Sequence, residues 1–506
     1  MSGSDKIEHF EHEIESPEFE RHDRYNFEVK LDYTIEPSQR KNGFLLEMFC
    51  FLPKSLHINE ETYTQFDFYS DLNLYMRYKT PELSISALIN PNNTLSPLNR
   101  IRTLINSQNR TKSQILYEIR LFGAMVRACV RDNLENLGNK IELDSSKMNK
   151  NEQEYLEFLS FISPLLTKIN QLTQEMETNQ IDNEILNAFH YVSQFIHVQI
   201  EIRFNKFLAK FDSLLSDKIK NKTIQCIEST RADRKEIMSP LSLDLIKTGE
   251  SFEYGEGLLK KFTQRVLYLE QKRKKREKRL KQLFYSVAAG LAMVVSVLLT
   301  LLLLEPFQEY STPFFLAAVV IYVFKDRIKS LIKLVSNRTL RIIISDRTHQ
   351  IRDPFERTHI GSMRETMRFL EENEIPQEIA KSRQRNQLTI EKQENLENVF
   401  KYKKIMQLDA FKLLKIHERE GDIHDIIRFN IKNIIRYADD PFKEYPIWNK
   451  DTDDVEYIKQ YKIYHINLIF RVRTLNKTTT KIPYLKKVRI VLDQDGIKRL
   501  EYPEID

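Results

Sequence analysis

The chain has 506 residues, of which 41% are hydrophobic and 30% are charged. This length suits roughly three domains of about 150 residues, and the composition excludes collagen-like and globally disordered proteins. Glycine is scarce, with 11 residues or about 2% of the chain against a usual value of about 7%. The sequence contains no GxGxxG, GxxxxGK[ST] or GxSxG motif, which argues against Rossmann enzymes, P-loop ATPases and α/β-hydrolases.

The N-terminal segment is acidic, with seven Asp or Glu and one Lys in its first 20 residues. We expect residues 1–20 to form a disordered tail, and the lack of an apolar stretch there argues against a cleaved signal peptide. Cys50, Cys129 and Cys226 are too widely spaced for a CxxC motif or a disulfide framework, which fits a reducing compartment.

Residues 21–95 have the pattern of a small β-rich unit. Apolar and polar residues alternate over 25–34 as in a half-buried strand, and 44–52 resembles a more buried strand. Residues 39–43 between them have turn composition, and we expect the aromatic stretch 66–79 to be extended.

From about residue 96 to 255 the apolar period becomes that of helices. The sequence predicts three long amphipathic helices packed as a bundle, with Pro164 kinking the second and Asp182 capping the third. His190 and His197 share one face of the third helix, but a metal pair more often uses an i, i+4 spacing. We therefore expect them to be ordinary half-buried residues and expect no metal or cofactor.

Two short segments carry the whole basic excess of the chain. The net charge is +6, but residues 260–281 carry +9, residues 325–341 carry +5 and the remainder carries −8. These segments flank the most apolar part of the chain. A nucleic-acid-binding protein more often spreads basic charge over a folded face, so we expect a membrane partner and no nucleic acid.

Residues 283–304 are the strongest membrane candidate. These 22 residues carry no charge, and as a helix they would be about 33 Å long, enough for a hydrocarbon core of about 30 Å. The absence of proline from 257 to 304 predicts a single long helix entering this segment. Arg273 and Arg276 would interrupt a coiled-coil seam along it.

A second apolar segment, 311–331, is shorter. Its uncharged part has 14 residues, about 21 Å as a helix, so the alternative is a re-entrant or interfacial element. Tyr310 and Tyr322 suit the two membrane interfaces, and the basic residues that follow can snorkel. We therefore predict a two-helix transmembrane hairpin within 256–336, with its tip at 305–312.

Basic residues on both outer flanks set the orientation of this hairpin. By the positive-inside rule, both termini should be cytoplasmic. We expect the flanks to contact anionic lipid headgroups, at about 1 kcal/mol per basic residue; a topology signal alone is the compatible alternative. The residues of this basic cluster are Lys272, Arg273, Lys274, Lys275, Arg276, Lys278, Arg279, Lys281, Lys325, Arg327 and Lys329.

Residues 337–506 predict a C-terminal α+β domain. A short strand is expected at 340–345, helices at 363–397 and 409–436, and either a strand or a helix at 399–408. The clearest alternation lies in 461–473 and 488–492, followed by a turn at 493–496 and a strand at 497–502. This pattern predicts an antiparallel sheet with helices on one side.

Two sets of residues in this domain are candidates for chemistry. His417 and His424 lie seven apart with Asp425 adjacent, but Gly421 breaks the HExxH pattern. On a helix the two histidines would be about 10.5 Å apart, so a solvated helix surface is the better interpretation. The strand face with His465, Arg471, Arg473 and Arg489 has the charge to hold an anion or an acidic partner, but a solvated sheet face is the better interpretation.

Together these features predict an α+β multi-domain membrane protein with a β-rich N-terminal unit, a helical bundle, a two-helix transmembrane hairpin and a C-terminal α+β domain. The leading functional hypothesis is a membrane-anchored, cytoplasm-facing interaction or scaffold protein with an unidentified protein partner or a homo-oligomeric state. The first alternative is a membrane-tethered enzyme with its site in the C-terminal domain. An oligomeric channel is less favoured, because neither span carries an internal ionisable residue.

Overall fold

The structure of the chain is a computed structural model. It describes residues 17–107, 111–143, 148–236, 249–274, 276–304, 345–384, 396–416, 421–475 and 484–503, and positions 312, 315–316, 319–327 and 330 between them. Most of the acidic tail, the predicted strand core at 341–344 and His417 lie outside these residues.

The described strands all pair antiparallel. They are β1 (Glu18–Arg21), β2 (Asn26–Tyr33), β3 (Lys41–Pro53), β4 (Leu72–Tyr78), β5 (Glu270–Lys274), β6 (Arg347–Arg352), β7 (His359–Leu370), β8 (Glu397–Asp409), β9 (Ile423–Asn430), β10 (Phe442–Asn449), β11 (Asp454–Tyr461), β12 (Tyr464–Thr474), β13 (Tyr484–Asp493) and β14 (Gly496–Glu501).

The described helices concentrate between β4 and β5. They are α1 (Gln65–Asp71), α2 (Ile85–Ile89), α3 (Pro97–Asn106), α4 (Lys112–Leu143), α5 (Met148–Ser160), α6 (Ile162–Thr178), α7 (Asn183–Phe211), α8 (Asp217–Glu236), α9 (Gly249–Gln264), α10 (Arg276–Leu304), α11 (Gln377–Gln384) and α12 (Ala410–Ile416). The mixed α+β class with antiparallel sheets is therefore confirmed.

Three sheets are present in the described chain. The large sheet has the order β14-β13-β12-β3-β8-β7-β6-β5, the small sheet has the order β1-β2-β9-β4, and β10 and β11 form a separate ribbon. Both larger sheets join strands from before and after α10. The predicted separation of 21–95 from 337–506 is therefore wrong: β2 pairs with β9, and β3 lies between β8 and β12. Residues 39–43 lead from one sheet to the other and do not close a hairpin.

The position of β3 explains its continuous apolar sequence. A central strand covered on both faces needs apolar residues at successive positions. Its even-numbered residues from 44 to 52 belong to the main core. Buried side chains from both larger sheets and from the helical bundle pack in the same core. Phe49 and Phe51 face the opposite side and pack in a second core with Ile379 of α11.

The predicted helical bundle is present. α7 begins after Asp182, whose carboxylate accepts a hydrogen bond from the backbone N–H of Glu184, and its apolar stripe is buried. Pro164 lies in the first turn of α6, where its missing N–H costs no helical hydrogen bond, and the expected kink is a break between α5 and α6 at Phe161.

Three predicted helices are wrong in part. The single helix over 257–304 is interrupted, because α9 ends at Gln264 and β5 follows; Val266, Leu267 and Leu269 are buried in the core between them. The predicted helix at 363–397 is largely β7 and a shorter helix, α11. The predicted helix at 409–436 is α12 followed by β9. In β7 and β9 burial alternates, so core contacts override helix propensity. The stretch 66–79 is also only partly extended, as α1 precedes β4.

A buried ion pair joins the two larger sheets. Lys404 of β8 donates to both carboxylate oxygens of Asp425 of β9 at 2.8 and 2.7 Å, and the two side chains are 1% and 0% exposed. The Tyr33 hydroxyl donates to the same carboxylate at 3.2 Å. Burial and the charge of Asp425 raise the pKa of Tyr33 well above its usual value, so this phenol stays protonated and remains a donor.

Removal of one partner from this pair should destabilise the fold. We expect Lys404→Met to lower the free energy of unfolding by about 3–5 kcal/mol, because it leaves a buried carboxylate without its cation. The triple variant Lys404→Met/Asp425→Leu/Tyr33→Phe should recover most of this loss, since no unpaired polar group then remains. Denaturant unfolding of the purified full chain measures both values, and equal losses in the two variants would contradict this role.

Candidate functional site

The most unusual feature of the fold is the excursion that leaves the large sheet at β5 and returns at β6. These strands are neighbours at the sheet edge, and Lys274 pairs directly with Thr348. The chain leaves β5 at Lys274, begins α10 at Arg276, and re-enters the sheet at Arg347. Both ends of the excursion are therefore fixed beside each other.

α10 is apolar and exposed. Within it, Gln282–Leu302 has 21 residues and a mean hydropathy of 2.2, and among the described helices this segment alone is long and apolar enough to cross a membrane. Leu291, Val294 and Leu302 are 54%, 57% and 66% exposed. An exposed apolar surface of this extent marks a contact with a membrane or another protein.

The second apolar segment is described only in part. Residues 319–327 are helical, and Val319, Val323 and Phe324 are each more than half exposed. The Lys325 ammonium lies 3.8 Å from the ring centroid of Tyr322. The fold thus contains a second exposed apolar helical stretch before the chain returns to β6.

The basic cluster is divided between a strand and helices. Lys272, Arg273 and Lys274 belong to β5, where Lys272 and Arg273 are exposed. Arg276, Lys278, Arg279 and Lys281 lie in the first two turns of α10, and Lys325 and Arg327 are helical. Lys275 and Lys329 are outside the described residues. The β5 members were predicted to lie on a helix, and this prediction is wrong.

A cleft of about 790 Å³ lies where α3, α4, α12 and the β6–β7 connection meet. Its lining includes two buried carboxylates. Glu118 lies 3.6 Å from the Arg100 guanidinium, and Asp353 accepts the backbone N–H groups of Phe355 and Glu356, both at 2.8 Å. Burial raises the pKa of Asp353 despite these hydrogen bonds. Both carboxylates therefore stabilise the walls of the cleft.

His197 and His424 lie in different elements, α7 and β9, and have different partners. His197 is buried, and its Nδ1 lies 2.7 Å from the Ser193 carbonyl oxygen. His424 is in β9, paired with Asp32 of β2, so the predicted helical spacing from His417 does not apply. The neighbouring Asp425 is held by Lys404. In the described part of the chain, no group of three or more His, Cys, Asp or Glu is arranged to hold a metal ion.

The four residues of the predicted basic strand face do not form one site, because they have different neighbours. Arg471 donates to Glu47, with Nε–Oε2 at 2.7 Å, and lies 3.3 Å from Glu378 of α11. Burial would raise the pKa of Glu47, but hydrogen bonds and charge from Lys401 and Arg471 outweigh it and hold the pKa below its usual value. Arg473 is exposed at the far end of β12. His465 and Arg489 instead line a common cavity.

Comparison with protein-family models, with curated proteins and with solved structures finds no match to this chain. Function is therefore inferred from the fold and its surfaces.

The β5 lysines and arginine should select anionic lipid if their edge of the sheet faces a bilayer. We expect Lys272→Gln/Arg273→Gln/Lys274→Gln to reduce the enrichment of phosphatidylserine around the full chain in mixed phosphatidylcholine–phosphatidylserine nanodiscs. Wild-type enrichment should fall with salt, because exposed charges are screened over about 8 Å at physiological ionic strength. Lipid analysis of purified nanodiscs measures the ratio of phosphatidylserine to phosphatidylcholine.

The matched control for this measurement is Arg40→Gln/Lys41→Gln/Lys415→Gln. It removes the same charge from exposed positions outside β5. Arg40 and Lys41 lie where β3 begins, beside the end of β8, since Lys41 pairs with Asp409, and Lys415 lies in α12. Equal lipid enrichment in both triple variants would show that the edge strand does not contact lipid.

Proposed function

We propose that this chain is an integral membrane protein, anchored by a two-helix hairpin that holds its folded body at the cytoplasmic membrane surface as an interaction platform. The observation that carries the proposal is the closure of the excursion at the β5–β6 pair. If α10 crosses a bilayer, the chain must cross back before Arg347, because β6 pairs with β5 in one sheet. The number of crossings between Lys274 and Arg347 is therefore even.

The second apolar segment supplies the return crossing. Residues 311–331 provide the apolar stretch between α10 and β6, and Lys325 and Arg327 lie at the end of its described helical part, 319–327. The basic cluster would then lie on one side of the membrane, at both flanks of the hairpin. The positive-inside rule places that side in the cytoplasm.

The distance between sheet and bilayer is short in this arrangement. Seven residues separate Lys274 from the apolar stretch at Gln282, about 10 Å in helical geometry. The β5 edge would therefore lie close to the lipid headgroups. Its three basic residues could contact anionic lipid while the strand remains paired with β6.

The β10–β11 ribbon supports the role of interaction platform. All residues of its two strands are exposed except half-buried Asn449. Trp448, Tyr457 and Tyr461 are 56%, 69% and 69% exposed on one face. A two-stranded ribbon is at best marginally stable alone in water, and exposed aromatic surface of this kind is typical of contact sites.

Anchorage by α10 is testable with two charges at its centre. Wild-type chain should stay in the membrane fraction after alkaline carbonate extraction, whereas Leu291→Asp/Val294→Asp should be released. Each Asp at the centre of a spanning helix costs about 2.5–3.5 kcal/mol of insertion free energy. Immunoblotting of membrane and soluble fractions measures the distribution.

The control Leu214→Asp/Leu258→Asp introduces the same charges at leucines that are 46% and 38% exposed on the helical bundle. This variant should remain membrane-bound. Extraction of the wild-type chain, or retention of Leu291→Asp/Val294→Asp in the membrane, would contradict the proposed anchor.

A further inference from the structure

The outer face of the large sheet carries a second cavity, of about 540 Å³. It lies where β3, β8 and β12 end together, since Pro53 pairs with Glu397 and Phe51 pairs with Asn467. The volume falls within the usual range of small-molecule sites, about 300–1,000 Å³. The cavity is separate from the apolar excursion and from the cleft beside α3.

The charge of the cavity lining is strongly one-sided. Lys54, Arg383, Lys462 and Arg489 supply four cations, with His465 beside them, and Glu397 is the one carboxylate in the described lining. Lys462 is paired with Asp439, which lies outside this lining. Glu397 is engaged by Arg383, with Nη2–Oε1 at 2.6 Å and Nε–Oε2 at 3.0 Å. A cavity lined by one sign of charge concentrates counter-ions.

The groups beneath the cavity form a fixed polar floor. Asn467 is 1% exposed, and its side-chain oxygen accepts a hydrogen bond from Arg489 Nε at 3.3 Å. This hydrogen bond fixes the orientation of the Arg489 guanidinium through its Nε atom. The Nη1 atom of the same group lies 3.4 Å from Glu501 Oε2. Planar guanidinium groups held in this way suit phosphate and carboxylate oxygens.

A buried lysine, Lys487, lies within electrostatic reach of two of the cavity's cations. Lys487 is 1% exposed, and its ammonium donates to the Ser382 carbonyl oxygen at 3.1 Å. Burial, together with the charges of Arg383 and Arg489, lowers the pKa of Lys487 to about 8. A bound anion would offset those charges and raise this pKa towards its ordinary value.

The remaining wall is apolar. Pro53, Leu396, Ile463 and Tyr464 line the cavity beside the cations, and Leu396 and Ile463 are 41% and 43% exposed. A small inorganic anion would leave this wall uncovered. An organic anion with an apolar part would contact both sides.

We propose that this cavity binds an organic phosphate, with Arg489 and Lys54 at the phosphate group and Leu396 and Ile463 against the apolar part of the ligand. The phosphate can come from a soluble metabolite or from a lipid headgroup, since both present the same oxygens. This assignment does not depend on the proposed membrane anchor. It requires only the strand ends and α11.

The test is isothermal titration calorimetry: phenyl phosphate is titrated into the purified full chain in phosphatidylcholine nanodiscs, and the dissociation constant is measured. We expect saturable binding, weakened about ten- to a hundredfold in Arg489→Gln, because a charge-assisted hydrogen bond contributes about 1.5–3 kcal/mol and 1.4 kcal/mol corresponds to tenfold. Lys54→Gln, at an exposed rim position, should weaken binding less. It keeps the test valid if Arg489→Gln is unstable.

Arg473→Gln is the matched control. Arg473 lies on the same strand and face as His465 but eight residues away, about 27 Å along the strand. Its loss should leave phenyl phosphate binding unchanged. Equal weakening in Arg473→Gln and Arg489→Gln, or no binding by the wild-type chain, would overturn the assignment.

Proton uptake gives a second readout, independent of affinity. Near pH 8, binding should be accompanied by proton uptake as the Lys487 pKa rises from about 8, measured by calorimetry in buffers of different ionisation enthalpy. Lys487→Met should abolish this uptake. Uptake that persists unchanged in Lys487→Met would contradict the placement of the anion next to this lysine.

A final arm identifies the source of the phosphate. Nanodiscs that contain phosphatidic acid present a lipid phosphate monoester to the chain. If the lipid headgroup is the ligand, phenyl phosphate binding should weaken in these nanodiscs compared with phosphatidylcholine alone. Unchanged binding assigns the cavity to a soluble phosphate, and both results support the organic phosphate site.

Discussion

The pairing of β5 with β6 is the constraint on which the organisation of this protein depends. It fixes the two ends of the apolar excursion beside each other, with Lys274 opposite Thr348. Any membrane crossing by α10 must then be matched by a return. The same pairing places basic residues of β5 at a sheet edge, which gives the folded body a charged border next to its apolar helix. Lys275 alone separates the end of β5 from the start of α10, so this helix begins next to the sheet.

Sheets that draw strands from both sides of the excursion make the body a single unit. β3 lies between β8 and β12 in the large sheet, and β2 pairs with β9 in the small one. The Lys404–Asp425 pair joins the two sheets. This pair is a buried polar contact between the sheets, while apolar residues supply most of the core. The organic phosphate cavity depends on the same assembly, since its lining comes from strand ends distant in sequence.

Prediction from the sequence succeeded where local patterns decide the structure. The alternation in 461–473, the capping residue Asp182 and the uncharged 283–304 segment all correspond to elements of the fold. It failed where pairing with a strand distant in sequence decides the local structure. Residues 270–274 resemble a charged helix but pair with β6, and 363–370 form β7 because β8 lies beside them. His465 and Arg489 were predicted on one basic strand face, with a solvated surface as the better interpretation. Lys54 joins them through the pairing of β3, β8 and β12, and Arg383 of α11 joins them through its contact with Glu397.

Side-specific labelling of single cysteines tests the central claim most directly. Gln308→Cys lies in the connection between the apolar segments, and Lys450→Cys lies in the loop of the exposed ribbon. A membrane-impermeant maleimide should reach these two positions from opposite sides of a sealed membrane, with the wild-type chain giving the background from Cys50, Cys129 and Cys226. Labelling of both positions from the same side would contradict the two proposed crossings.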